Sequence, residues 1–310
     1  IESTINPGVC DEVIIPLIES SSEHVVGRTI HVAHCPERIN PGDTKWNVGN
    51  INRVLGASDK AGLMIAYSFY SKLVDGDIMQ MKTLKEAEAV KVVENSFRDI
   101  NIAFVNELAM SFKKLGIDVN NVINGAATKP FAFMAHYPGI GVGGHCIPVD
   151  PYYLIEYARS NGFEHNFLKL ARNINESMPI YSVDLLEQGL IEKLKKPLSK
   201  VTVCVLGLSY KPNVGDDRES PAYSVISALE SRGAKVITYD PYFPEKSTEQ
   251  SLEEALRSAE AAILVTSHDE FRSIKPSKMG SVKVFLDGRN ILKNEFRNAK
   301  NSVVYIGLSD

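Results

Sequence analysis

The sequence predicts an α/β chain in three parts: short strands and helices first, then a helical middle, then a second α/β unit. Three observations carry this. The hydrophobic period changes near residues 82 and 197. Residues 84–115 hold an apolar stripe at spacings of three and four with no internal Pro or Gly. The last third returns to short apolar runs separated by helical stretches, the pattern of a parallel sheet with crossovers.

Composition sets the bounds. A chain of 310 residues is long enough for two domains of ordinary size. With 44% hydrophobic and 23% charged residues it is globular, and disorder of the whole chain is excluded. The net charge of −4 gives no general pull toward nucleic acid or an anionic membrane. No apolar run approaches the roughly 18 residues that span a bilayer. Cys10, Cys35, Cys146 and Cys204 lie far apart with no CxxC, which argues for a reducing, cytoplasmic setting and against disulfide staples. The histidines show no convincing ligand spacing, so no metal is expected. The opening IESTINPGV is neither a signal peptide nor a natural start, and it reads as a strand end running into a turn.

Residues 29–35 alternate and are β-rich, and 51–55 form a second candidate strand. Asp59 can cap a helix running to about residue 73. Strands separated by helices favour a parallel sheet here. Thr83 and Glu86 form a capping box that starts the long helix, and Gly116 is a plausible stop. Val90, Val93, Phe97, Ile100 and Phe104 define its expected buried sector. A short helix near 119–126 precedes a loop rich in Pro and Gly, followed by helices over 151–161 and 166–194. Pro179 is expected to kink or split the latter. Strands are expected over 201–206, 235–239, 262–266, 282–286 and 303–306, with helices over 221–232 and 252–259.

Four segments carry chemistry. In residues 139–153, GIGVGGHCIPVDPYY, the glycines let backbone approach a ligand, and Cys146 sits among them. Asp150 follows Cys146 by four, at the start of a helix whose positive end favours a thiolate. Two readings stay open: a nucleophile, or a structural cysteine in a turn. Lys91, Asn95 and Arg98 share one face of the long helix and could donate to an anion or oxyanion, unless the face is merely solvated. Glu37, after a strand end, could hold a water or act as a base, although a plain surface turn is the simpler reading. Lys211 and Arg218, in GLSYKPNVGDDRESP after the first strand of the last part, and Arg289 after another strand, bring cations to one sheet edge.

Together these segments resemble the UDP-glucose/GDP-mannose dehydrogenase family, over essentially the whole chain. The supporting stretches are ESTINPGV (2–9), PERINPGD (36–43), KVVENSFRDINIAFVNEL (91–108), PGIGVGGHCIPVDPYYL (138–154), YKPNVGDDRESP (210–221) and DGRNIL (287–292). The resemblance is to the branch acting on UDP-N-acetylhexosamines. It implies a remnant of an N-terminal Rossmann-like NAD-binding domain over 1–81, with its first half missing. It further implies a central helical catalytic and dimerisation domain over 82–196 and a C-terminal Rossmann-like UDP-binding domain over 197–310. The implied activity is a four-electron oxidation of the sugar C6 alcohol with NAD, through a thiohemiacetal and thioester on Cys146. UDP-N-acetyl-D-mannosamine is the expected substrate and UDP-N-acetyl-D-glucosamine the alternative.

By the same resemblance Lys91 and Asn95 polarise the C6 oxygen, and Asp150 is an acid/base or water-orienting group. Glu37 and Thr4 hold water near C6, and Thr4 also lies by the cofactor. Gly143, Gly144 and His145 contact the substrate. Lys211 and Arg289 bind UDP, and Arg218 reaches the cofactor. The long helix implies a homodimer, with no nucleic-acid or membrane partner. The loop TKPFAFMAHYPG lacks the arginine of some UDP-N-acetylmannosamine enzymes, which keeps the epimer open. The family's GxGxxG strand–turn–helix has no counterpart here, so this chain is expected to bind UDP, to bind NAD poorly and to turn over little. A non-catalytic nucleotide-sugar module and a two-electron reductase of the 6-phosphogluconate type are the other readings. Cys146 and Asp150 speak against the latter, which needs no thiol nucleophile.

Arg98 stands where acetamido-sugar members of the family carry arginine, so a hydrogen bond to the acetamido group is expected. Arg98→Leu should then weaken turnover of UDP-N-acetylhexosamines more than of UDP-glucose in parallel steady-state assays. Equal loss on both would remove that role.

Overall fold

The computed structural model describes residues 1–39, 45–297 and 303–309. It divides into two compact units, Ile1–Arg98 with Val149–Leu168, and Asp99–Pro148 with Lys169–Asp310.

In the first unit, a π-helical turn, Cys10–Ile14, continues into α1 (Ile15–Ser21). Then come β1 (Ala33–His34), β2 (Arg53–Ala57), α2 (Lys60–Tyr70) and β3 (Ile78–Gln80). β2 lies between β1 and β3, parallel to β3 but antiparallel to β1, with His34 opposite Gly56. This corrects the all-parallel expectation. No crossover helix lies between β1 and β2 among the described residues, and an antiparallel return needs none. The strand expected over 29–35 shortens to β1. α2 starts where foreseen, with the Asp59 carboxylate accepting from Gly62 N at 2.9 Å.

α3 (Leu84–Leu115) has the predicted bounds. Its capping box is formed: Thr83 Oγ1 accepts from Glu86 N, and Glu86 Oε2 accepts from Thr83 N. The expected buried sector is wrong, however. Val93, Phe97 and Phe104 are 55%, 48% and 53% exposed, whereas Glu88, Asn95, Asp99 and Asn106 are buried. Periodicity locates an apolar face but not what covers it. Here burial follows hydrogen-bond partners: Glu88 accepts from Gly8 N and Cys10 N, and Asp99 accepts from Arg172. α4 (Val119–Ala127), α5 (Asp150–Ser160) and α6 (Asn166–Leu194) complete the helical middle. α6 runs unbroken through Pro179, so the helix is not split there.

The second unit contains β4 (Thr202–Leu206), α7 (Pro221–Ser231), β5 (Lys235–Tyr239), α8 (Leu252–Ser258), β6 (Ala261–Leu264), β7 (Val284–Asp287), α9 (Lys293–Arg297) and β8 (Val304–Gly307). The five strands form a parallel sheet in the order β5-β4-β6-β7-β8. Val203 and Val205 of β4 pack into one core with Met178, Leu186 and Leu229, while Cys204 and Leu206 pack into another with Phe271 and Phe285. That alternation is what a strand covered on both faces requires. The sheet changes winding direction at β4, between β5 and β6. Such a switch leaves a crevice at the carboxyl ends of the strands, where open sheets bind ligands.

The Asp59 cap gives a testable consequence. Hydrogen bonds from Gly62 N–H and His31 hold its carboxyl at about 2, below the ordinary 3.8. The folded value is depressed, so its stabilisation is complete above pH ~4 and fades as pH falls toward ~2. Asp59→Ala is expected to cost about 1 kcal/mol at neutral pH. In urea titrations the gap from wild type should close near pH 2; a gap that persists there contradicts this origin.

Candidate active site

The predicted residues fall on both units, and each group is built within its own unit.

In the first unit, Asn95 and Asp150 meet. Asn95 Nδ2 donates to Asp150 Oδ2 at 2.5 Å, and both side chains are buried. Asp150 opens α5, with Pro151 behind it. Lys91 lies half-buried one turn before Asn95, and Arg98 is exposed about one turn after it. Thr4 is half-buried in a segment tied down by Glu88, which the sequence reading missed. Glu88 sits on α3 and accepts from Gly8 N at 2.5 Å and Cys10 N at 2.8 Å. Tyr157 of α5 holds the same segment by donating to Glu12 at 2.8 Å. No local signal marks Glu88 in the sequence, since its burial depends on partners about eighty residues away.

Glu37 has a structural role in this geometry. Its Oε1 accepts from Arg38 N and Ile39 N at 2.6 Å, and Arg53 Nη1 donates to Oε2 at 3.2 Å. Residues 40–43 of the PERINPGD motif lie outside the described residues.

In the second unit, the loop before Cys146 packs where only glycine fits. A Cβ on Gly139 would lie 2.4 Å from Arg289 Nη1, and one on Gly143 would lie 2.8 Å from Glu219 O and from Tyr210. Gly144 has φ +90°, and a Cβ there would meet the Tyr210 ring at 2.7 Å. Gly144 N also donates to Arg218 O at 3.0 Å. The structure therefore brings Gly143 and Gly144 to the loop that carries Lys211 and Arg218, and Gly139 to Arg289.

Lys211 and Arg289 follow strand ends on either side of β6. Half-buried Lys211 lies in the loop after β4, and Arg289 follows β7. Arg289 Nε donates to Val265 O at 2.7 Å, and burial works against its charge while Asp287 offsets that cost. Arg218 is exposed and held in a fork by Asp216, at 3.0 and 3.1 Å from Nε and 2.7 Å from Nη2. That bond holds its guanidinium above its ordinary value, with Cys146 close enough to contribute. A cation near a thiol favours thiolate. Exposed His145 in turn helps lower Asp216.

The four cysteines are thereby separated. Burial pushes Cys10 up to about 12, with Glu88 adding to it, and burial raises Cys35 and Cys204 as well. Burial thus works against a thiolate at Cys10, Cys35 and Cys204, and Cys146 is the exposed cysteine among the four.

A second feature missed from sequence stabilises the Lys211 loop. Asp240, buried at the end of β5, accepts from Leu208 N, Ser209 N and Ser209 Oγ at 2.6, 2.8 and 2.9 Å. Its fourth partner is His268 Nε2 at 3.1 Å, and His268 Nδ1 accepts from Asn213 N at 2.9 Å. The second bond fixes the tautomer that donates to Asp240. Burial works to raise Asp240, but His268 and the N–H groups of Ser209 and Tyr242 hold it at about 2.

The helix that follows β2 cannot grip the diphosphate of a dinucleotide at its N-terminus, because the Asp59 carboxylate already fills it. No helix among the described residues is long and apolar enough to cross a membrane.

Comparison with known proteins agrees with this geometry. Three models of the UDP-glucose/GDP-mannose dehydrogenase family match: the NAD binding domain at residues 1–74, the central domain at 85–177 and the UDP binding domain at 204–294. The chain is 38% identical over 296 residues to the UDP-N-acetyl-D-mannosamine dehydrogenase of Pyrococcus horikoshii, covering 94% of this chain and 69% of that protein. It is 33% identical over 282 residues to the UDP-N-acetyl-D-glucosamine 6-dehydrogenase of Pseudomonas aeruginosa, covering 88% and 65%. The solved structure of a Pyrococcus horikoshii UDP-D-ManNAc dehydrogenase superposes with a TM-score of 0.91 at 35% identity, over 100% of this chain and 72% of that one. The three matched domains in order and the identity over most of both chains have one conclusion: the chain belongs to the UDP-glucose/GDP-mannose dehydrogenase family of NAD-dependent enzymes.

Proposed function

We propose that this chain belongs to a UDP-N-acetyl-D-mannosamine 6-dehydrogenase, which converts the C6 alcohol to a carboxylate in two oxidations. The observation that carries the reading is the exposed Cys146 in a glycine loop that packs on the Tyr210–Arg218 loop and on Arg289. Lys211 and Arg289 bind the UDP diphosphate at the carboxyl edge of the sheet. When bound, NAD would accept one hydride from C6, and two NAD in succession would take the two hydrides of the four-electron oxidation.

Lys91 and Asn95 steady the negative charge that develops on the C6 oxygen. Cys146 Sγ adds to the aldehyde carbon, giving a thiohemiacetal, and loss of the second hydride leaves a thioester. Water then attacks the thioester carbon, the C–S bond breaks, and the thiolate is restored. Asp150, held by Asn95, orients that water or takes its proton. Glu37 and Thr4 help hold the water, Thr4 and Arg218 meet the cofactor, and Gly143, Gly144 and His145 border the sugar. Arg98 meets the acetamido group.

We divide the chain by role as 1–81 toward NAD, 82–196 as the catalytic and dimerising centre, and 197–310 toward UDP. The exposed Val93, Phe97 and Phe104 on α3 give a second copy of the chain an apolar face to cover, and the reading places the enzyme in the cytoplasm as a homodimer. UDP-N-acetyl-D-glucosamine is the competing substrate, favoured by the absence of arginine from residues 128–139.

The test is NADH yield per sugar on the full-length gene product, with UDP-N-acetylmannosamine, UDP-N-acetylglucosamine and UDP-glucose in parallel. Two NADH per sugar, lost in Cys146→Ala, is expected, with the mannosamine epimer preferred. One NADH per sugar, or an active Cys146→Ala enzyme, would overturn the mechanism. Sedimentation as a monomer would overturn the dimer.

A further inference from the structure

The role given to Cys146 raises the question of what places its loop, and a buried polar relay answers it. Gly139 N donates to Asn106 Oδ1 at 2.9 Å. Asn106 Nδ2 then donates to Asn175 Oδ1 at 2.9 Å. Asn175 Nδ2 donates to Asp99 Oδ1 at 2.8 Å and to Asp99 O at 3.0 Å, and Arg172 Nη1 closes the chain on Asp99 Oδ1 at 2.7 Å. Asn106, Asn175, Asp99 and Arg172 are all at most 3% exposed.

The chain has a direction. The Gly139 N–H must meet an acceptor, which turns the Asn106 amide nitrogen toward Asn175, which turns the Asn175 nitrogen toward Asp99. Each amide is fixed at both ends, so neither can flip without leaving buried groups unsatisfied. The terminus of this relay is the residue whose backbone lies against Arg289, at the start of the loop that ends in Cys146. Gly141 lies on the same support, since a Cβ there would be 3.2 Å from Asn175 O.

We propose that Asn106 is a positioning residue for oxidation at C6: through Gly139 it sets where the Cys146 loop lies relative to Arg289. This rests on the reading of Cys146 as the nucleophile. Displacement of that loop leaves the first hydride loss possible but delays thiol capture of the aldehyde. The aldehyde can then escape after one oxidation. A merely structural role lowers the amount of folded enzyme without changing what each turnover yields.

The experiment is Asn106→Leu in the full-length gene product, with Asn106→Ser beside it in case leucine does not fold. The readouts are kcat, KM for the UDP-sugar, NADH per sugar, and free aldehyde trapped with a hydrazine. A fall in kcat of about 100-fold is expected from a misplacement near 1 Å, with KM little changed. NADH per sugar should fall below two, with trapped aldehyde making up the difference. Two NADH per sugar in both variants, whether at wild-type kcat or at a rate that tracks the folded fraction, would overturn the proposal. Cys146→Ala run alongside separates the failures. If it still gives two NADH per sugar, the reading of Cys146 falls; if it is inactive while the Asn106 variants are normal, only the positioning role falls.

Discussion

The close backbone approach at Gly139, Gly143 and Gly144, where no Cβ intervenes, is the constraint on which the packing of the second unit's Cys146 loop depends. Gly139, Gly143 and Gly144 each press against atoms that a Cβ would overlap, and Gly141 and Gly144 take positive φ. These contacts bring the backbone leading to Cys146 against Arg289 on one side and against the Tyr210–Arg218 loop on the other. Both partners follow strand ends of the parallel sheet, so the Cys146 loop and the cations Lys211, Arg218 and Arg289 are placed by one framework. Charge is distributed to match that placement. The three buried thiols are raised, while Cys146 is exposed and has Arg218 for company.

Buried polar groups stabilise this loop from behind. Burial works to raise Asp99, and Arg172 and Asn175 oppose it with charge and hydrogen bonds. A buried pair of this kind adds little net stability against an apolar substitute, but loss of one partner is costly. Its use here is directional, since the relay orients two asparagine amides that end on Gly139. Asp240 does the same for the Lys211 loop, gathering backbone and side-chain donors from residues 208–209 and binding the histidine that holds Asn213. Glu88 does it in the first unit for the Thr4 segment. In each case a buried acid organises a loop that carries chemistry.

Much of the fold was legible because local signals were strong. The Thr83–Glu86 capping box, the Asp59 cap and the glycine at 116 marked helix ends that the structure reproduces. The strands expected over 201–206 and 262–266 appear as β4 and β6, and the apolar run of the first is legible because both of its faces are covered. What was not legible depended on partners distant in sequence. The buried side of α3 carries Glu88, Asp99 and Asn106 among its apolar residues because Gly8, Cys10, Arg172 and Asn175 supply their hydrogen bonds, and no local period reports that. The antiparallel pairing of β1 and the unbroken course of α6 through Pro179 are likewise set by tertiary context. Of the candidate site, the residue types and their order were readable, as was the sheet edge that holds Lys211 and Arg289. The supports, Asn106, Asp240 and Glu88, were not, because each looks like an ordinary polar residue until its partners are known.

The central claim is that oxidation passes through a covalent bond to Cys146. The most direct measurement is peptide mass spectrometry of the full-length gene product, acid-quenched during turnover with the UDP-N-acetylhexosamine it prefers and NAD. The account predicts a sugar-nucleotide adduct on the peptide containing Cys146 that hydroxylamine releases as a hydroxamate, as a thioester requires. An unmodified Cys146 peptide in enzyme caught forming the uronate would contradict it.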